Sequence, residues 1–192
     1  MDQNELVDKI VKEVMARLKQ SANQELLGKA DAGSSSQGAG ITPQELARFI
    51  DHTLLKPDAV FAQYDQLCDE AKKYNFYSVC VNSSKVSYVA KKLRGSQVKV
   101  CSVVGFPLGE MESRSKAFEA RTAIDHGAHE LDMVLNIGAL KSGNLKLVED
   151  DIRAVKRACR GTTVLKVILE TSMLTDEEKV IACEICKKVE VD

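Results

Sequence analysis

Two ionisable residues stand where aliphatic side chains are expected. Asp132 lies in Glu130-Leu131-Asp132-Met133-Val134-Leu135, and Lys166 lies in Val164-Leu165-Lys166-Val167-Ile168-Leu169-Glu170. Both runs read as strands, and alternation puts Lys166, Ile168 and Glu170 on one face and Leu165, Val167 and Leu169 on the other. On a sheet covered on both faces, a mid-strand ammonium needs a carboxylate, since its desolvation is otherwise costly. An acid on the adjacent strand is the natural partner. Such a pair can be an enclosed acid–amine couple tuned for proton transfer or an ion pair that fills an interior. Spacing alone leaves both open.

Other residue types carry weaker signals. Glu170 closes its strand at the end where α/β folds place their sites, or it simply caps a helix. Cys80, in Ser78-Val79-Cys80-Val81-Asn82, sits near the end of its strand and either faces a cavity or packs as a small hydrophobe. Gly105-Phe106-Pro107-Leu108-Gly109 reads as a rigid loop that a ligand can approach, or as turn chemistry. The three histidines, His52, His126 and His129, do not converge as metal ligands. No metal and no cofactor is expected. Cys183-Glu184-Ile185-Cys186 has C-x-x-C spacing but falls inside a helical pattern, without a redox motif's context.

The elements that must position these residues alternate. Strands are expected near 50–52, 77–81, 98–104, 130–135 and 164–170, with the start of a sixth at 189–192. Helices are expected over about 58–74, 84–93, 113–126, 145–159 and 175–188. Thr42-Pro43-Gln44-Glu45 opens a further helix with a capping box and a first-turn proline. Alternation of this kind implies a parallel sheet flanked by helices, and runs apolar on both faces agree. The pattern does not separate an open sheet from a barrel. No G-x-G-x-x-G turn follows the first strand, which speaks against dinucleotide binding.

Ahead of this domain, Leu6, Ile10, Val14 and Leu18 repeat every four residues beside Val7, Val11 and Met15. They mark an amphipathic helix over 4–19, within a first segment of 1–20. Residues 21–41, Gly/Ser-rich and without large apolar side chains near 28–40, read as a flexible linker. The 42–192 remainder is the globular domain. With 27 basic and 28 acidic residues, no basic block and no Trp, the chain has no footprint for nucleic acid. No apolar run is long enough to span a membrane. Six cysteines without a secretory signal read as reduced thiols in a cytoplasmic protein.

The motifs Ile50-Asp51-His52-Thr53-Leu54-Leu55-Lys56-Pro57-Asp58, Ser78 to Asn82, Val104 to Gly109, Glu130 to Val134 and Leu165 to Thr171 follow one another in register. Together they closely resemble the deoxyribose-phosphate aldolase family, metal-free class I aldolases on a TIM (β/α)8 barrel. The resemblance implies reversible cleavage of 2-deoxyribose 5-phosphate to glyceraldehyde 3-phosphate and acetaldehyde through a lysine Schiff base. It makes Asp132 the proton donor and acceptor and Lys166 a site-lining residue that supports the relay. Asp51, Thr53 and Cys80 become substrate-binding. It also implies that the Schiff-base lysine and the phosphate loops belong to strands beyond Asp192. The barrel is then incomplete, with about five βα units and the start of a sixth strand, and the 192-residue chain is expected to be inactive alone and homo-oligomeric when complete. The leading helix and linker resemble encapsulation peptides, implying a microcompartment shell partner through 4–19. The alternative is a non-catalytic fragment acting as cargo or assembly module through that helix.

Overall fold

The computed structural model describes residues 41–192. The helix expected over 4–19 and nearly all of the linker lie outside the described residues. Residues Ile41–Asp192 form one compact unit. In chain order they fold as α1 (Pro43–Ala47), β1 (Asp51–Leu54), α2 (Phe61–Tyr74), β2 (Ser78–Val81), α3 (Val86–Lys92), β3 (Lys99–Val104), α4 (Ser113–Asp125), β4 (Glu130–Val134), α5 (Ile137–Lys141), α6 (Leu145–Ala158), β5 (Val164–Ile168) and α7 (Asp176–Val189). The strands form one sheet in the order β1-β2-β3-β4-β5, every pair parallel. No helix of the described residues is long and apolar enough to cross a membrane.

Alternation divides each strand between two environments. Val79, Val81, Val100, Leu131, Met133 and Leu165 are fully buried against helix residues that include Leu67, Ala71, Val89, Ala120, Ile152, Val155 and Ala182. Burying one such side chain contributes about 1.5–3 kcal/mol, so this outer face holds the helices to the sheet. The opposite face carries Asp51, Ser78, Cys80, Cys101, Val103, Glu130, Asp132 and Lys166.

That second face is concave. In a flat sheet, four inter-strand steps would separate β1 from β5 by about 19 Å. Yet Lys166 Nζ on β5 lies 2.9 Å from Asp51 Oδ2 on β1. The sheet therefore curls as the staves of a barrel do, and the expected incomplete TIM barrel describes it.

Helix ends follow local chemistry. Thr42 and Glu45 form the expected capping box on α1, and Thr175 and Glu178 form another on α7. A cap of this kind stabilises by about 1 kcal/mol. Asp176, Glu177 and Glu178 begin α7 and Lys187 and Lys188 end it, each sign matching the helix dipole.

The sixth strand expected at 189–192 is not there. Ala182, Ile185 and Val189 form one buried helical stripe, so Val189 completes α7. Glu190 then adopts a left-handed conformation, φ 62°, that ends the helix. Asp192 lies beside β5, its carboxylate accepting from Leu165 N at 3.0 Å, but forms no ladder. α5 was not anticipated; its five residues are started by Asn136, whose side chain accepts from Ala139 N at 3.0 Å.

The loop after β3 requires its glycines. Gly109 has φ 71°, and a Cβ there would lie 2.0 Å from the Leu135 carbonyl oxygen. At Gly105 a Cβ would lie 2.8 Å from Lys116 Cε. Lys116 (α4) is itself wholly buried, pairing with Asp151 (α6) at 2.6 Å and donating to the Val134 carbonyl at 3.0 Å.

Candidate active site on the concave face

β4 and β5 pair in a register that sets Asp132 directly opposite Lys166. Their charged atoms meet at 3.1 Å between Nζ and Oδ1. The same ammonium lies 2.9 Å from Asp51 Oδ2 and 3.2 Å from Glu130 Oε2. One cation thus gathers carboxylates from three strand positions. Asp132 and Lys166 stand third in their five-residue strands, whereas Asp51 and Glu130 open theirs.

Beneath this meeting point is a polar floor. Glu130 is 3% exposed and accepts a hydrogen bond from the Tyr77 hydroxyl at 2.5 Å. Asp51 accepts from the Ser78 hydroxyl at 2.6 Å. These donors satisfy oxygens that Lys166 leaves free, as buried carboxylates require.

The electrostatics follow from the packing. Burial works to lower the Lys166 pKa, but the hydrogen bond it donates to Asp51 and the charges around it, Asp132 among them, prevail and raise it above the ordinary lysine range. Lys166 is therefore an ammonium and not a free amine nucleophile near neutrality. Burial pushes the Asp132 carboxyl up, against the pull of Lys166, and the nearby Asp51 charge adds to the rise. A carboxyl whose pKa burial raises, held beside a fixed cation, is suited to proton transfer. Tyr77 is raised by its bond to Glu130.

The remaining expected residues fall unevenly. Cys80 is buried on the concave face with Sγ 4.0 Å from Asp132 Oδ2. Thr53 is exposed on β1, its hydroxyl turned back onto the Asp51 carbonyl at 2.8 Å. Glu170 lies outside the cluster, exposed beyond the end of β5 with φ 54°, and accepts from Ser172. His126 and His129 lie on the surface; His129 Nδ1 accepts from Val100 N at 3.1 Å. Cys183 and Cys186 are free thiols on α7.

Sequence reasoning missed Glu130, Cys101, Ser78 and Tyr77. Glu130 shares alternation parity with Asp132, and Cys101 is the register partner of Cys80, so parity plus strand pairing would have found both. The histidines do not gather, and among the described residues the group of possible metal ligands that converges is Cys80, Cys101 and Asp132, whose ligand atoms lie within 4.8 Å of one another.

Comparison with known proteins adds an independent line. A family model described as DeoC/LacD family aldolase matches residues 46–184. The deoxyribose-phosphate aldolase of Bdellovibrio bacteriovorus is 59% identical over 140 residues, which cover 73% of this chain and 63% of that protein. Among solved structures, a Coccidioides immitis protein described as a deoxyribose-phosphate aldolase superposes with a TM-score of 0.77 at 42% identity, covering 79% of this chain and 59% of that one. The tetrameric deoxyribose phosphate aldolase of Aeropyrum pernix gives 0.72 at 32% identity, over 79% and 63%. The chain therefore spans about three-fifths of the length of such relatives.

Proposed function

The chain belongs to the DeoC/LacD family of aldolases, and from that premise we propose that the whole protein reversibly cleaves 2-deoxy-D-ribose 5-phosphate to D-glyceraldehyde 3-phosphate and acetaldehyde. The observation that carries this reading is the Asp132–Lys166 couple, 3.1 Å apart on the concave face. A lysine amine condenses with the sugar aldehyde, releasing water and giving an iminium. The C2–C3 bond then breaks as the C3 hydroxyl loses its proton, and the bond's electron pair is drawn into the iminium. The resulting enamine takes a proton at C2, and hydrolysis frees acetaldehyde and the amine. Asp132 is the group that accepts and returns these protons. Lys166 holds Asp132 in place and offsets its charge.

Lys166 is not the imine-forming amine in this reading, because its carboxylate partners keep it protonated. The amine is assigned to a lysine outside residues 41–192, as the family resemblance implies. Asp51, Thr53 and Cys80 line the substrate's path. The whole enzyme is proposed to assemble as a homo-oligomer, as the Aeropyrum protein does. Residues 1–20 are proposed to direct it, within the cytoplasm, to a microcompartment shell protein. A fusion of residues 1–27 to a fluorescent reporter should form puncta in shell-producing cells, and a diffuse signal would remove that assignment.

Borohydride trapping tests the chemistry. In a protein extended to the full length of its relatives, acetaldehyde plus borohydride should leave a reduced adduct on one lysine other than Lys166. Asp132→Asn should lower turnover by about 100- to 10,000-fold. Residues 1–192 alone should show no turnover. An adduct on Lys166, or full activity in Asp132→Asn, would overturn the assignment of roles.

A further inference from the structure

We propose that Cys80, Cys101 and Asp132 form a binding site for a thiophilic divalent cation of the zinc type. Cys80 on β2 and Cys101 on β3 are register partners on the concave face, 3% and 0% exposed, and Asp132 on β4 completes the arc. All three ligand atoms lie within 4.8 Å of one another. In a tetrahedral zinc site with Zn–S bonds of about 2.3 Å, two thiolates stand about 3.8 Å apart. Closing the present triangle onto a metal thus takes side-chain shifts of roughly 1 Å, within reach of a change in χ1.

Two further features fit the cation. The carboxylate of Asp132 is divided: Oδ2 faces Cys80 at 4.0 Å, while Oδ1 faces Lys166 Nζ at 3.1 Å. One oxygen can therefore ligate while the other keeps its ammonium, the arrangement by which outer partners orient metal-bound carboxylates. The cation also relieves charge. Two thiolates and a carboxylate carry minus three, and a divalent ion reduces this to minus one in a hollow where Lys166 already serves Asp51 and Glu130. Two sulfurs select a soft ion over magnesium or calcium. A tetrahedral ion takes a fourth ligand, which water would supply.

Metal in this site would engage the oxygen of Asp132 opposite Lys166 and so block turnover. That consequence rests on the role proposed for Asp132; the binding itself does not. The test is a titration of the purified 192-residue chain with Cd²⁺, carrying Cys183→Ser and Cys186→Ser so that the two thiols of α7, one exposed and one partly buried, do not compete. One equivalent should produce a thiolate-to-cadmium absorption band in the ultraviolet. Cys80→Ser or Cys101→Ser should abolish it, and Asp132→Asn should weaken the affinity at least tenfold. A band unchanged in either cysteine variant, or no band at all, overturns the site. Where a variant fails to fold, the unsubstituted chain decides. One equivalent of Zn²⁺ should protect Cys80 and Cys101 together from alkylation, read by peptide mass spectrometry, and equal labelling with and without Zn²⁺ overturns the site.

Discussion

Lys166 on β5 and Asp51 on β1, residues from the two edge strands of a five-stranded sheet, touch at 2.9 Å. The contact requires curvature, and it also concentrates carboxylates around one cation.

The pH dependence of stability should show this concentration. Lys166 has a folded pKa above its unfolded value of 10.5, so its contribution is complete below that pH and is lost as pH rises through the folded value. Lys166→Met should therefore flatten the alkaline limb of a urea-denaturation profile and lower stability near neutrality. In acid the deficit should shrink, because a protonated Asp132 no longer needs the cation. Asp132 tilts the profile the same way at lower pH: its folded pKa is raised, so stability falls as pH climbs above 3.8, and Asp132→Asn should remove that decline.

Tyr77 offers a spectroscopic reading of the floor. Its hydroxyl donates to Glu130, which holds the phenol protonated past the usual tyrosine range near 10. In a difference titration against Tyr77→Phe, the missing phenolate should be a late-ionising one. In a Glu130→Gln background it should move back toward 10. Identical titrations in the two backgrounds would mean that the bond does not form in solution.

The Lys116–Asp151 pair is a separate structural commitment. Both side chains are almost without exposure, and one Asp151 oxygen has no hydrogen-bond partner. Lys116→Met alone should cost about 3–5 kcal/mol, since it strands a buried carboxylate. Adding Asp151→Leu should recover most of that loss, measurable as the midpoint shift in urea.

Glycine substitutions should separate strain from collision. Gly143 has φ 70° with nothing within 4 Å of an added Cβ, so Gly143→Ala should cost only the conformational penalty of about 1–2 kcal/mol. Gly109 has nearly the same φ but would drive its Cβ into the Leu135 carbonyl. Gly109→Ala should be markedly worse by thermal denaturation. Equal losses would show that the loop shifts freely.

Much of the architecture was legible because two periodicities alternate along the chain. The bounds of α2, α3, α4, α6 and α7 fall within about three residues of expectation, and the Asp132–Lys166 contact followed from two charged residues interrupting apolar runs. Val189 to Asp192 misled because Val-Glu-Val-Asp alternates like a strand. The helical spacing of Ala182, Ile185 and Val189 outweighed that short pattern. Asp51 could be singled out only by resemblance, since its contact with Lys166 depends on a bend that no local pattern encodes. Glu130 was overlooked because an acid at the first position of a strand looks like a solvated entry; burial there is decided by Tyr77 and Lys166, far away in sequence.

Three acidic side chains against a single basic one make the depth of the hollow a poor host for a phosphate group itself. A ligand with one ionised end and one carbonyl end would enter carbonyl first, its phosphate trailing toward the rim. Orientation would then be imposed by repulsion before any specific bond had formed.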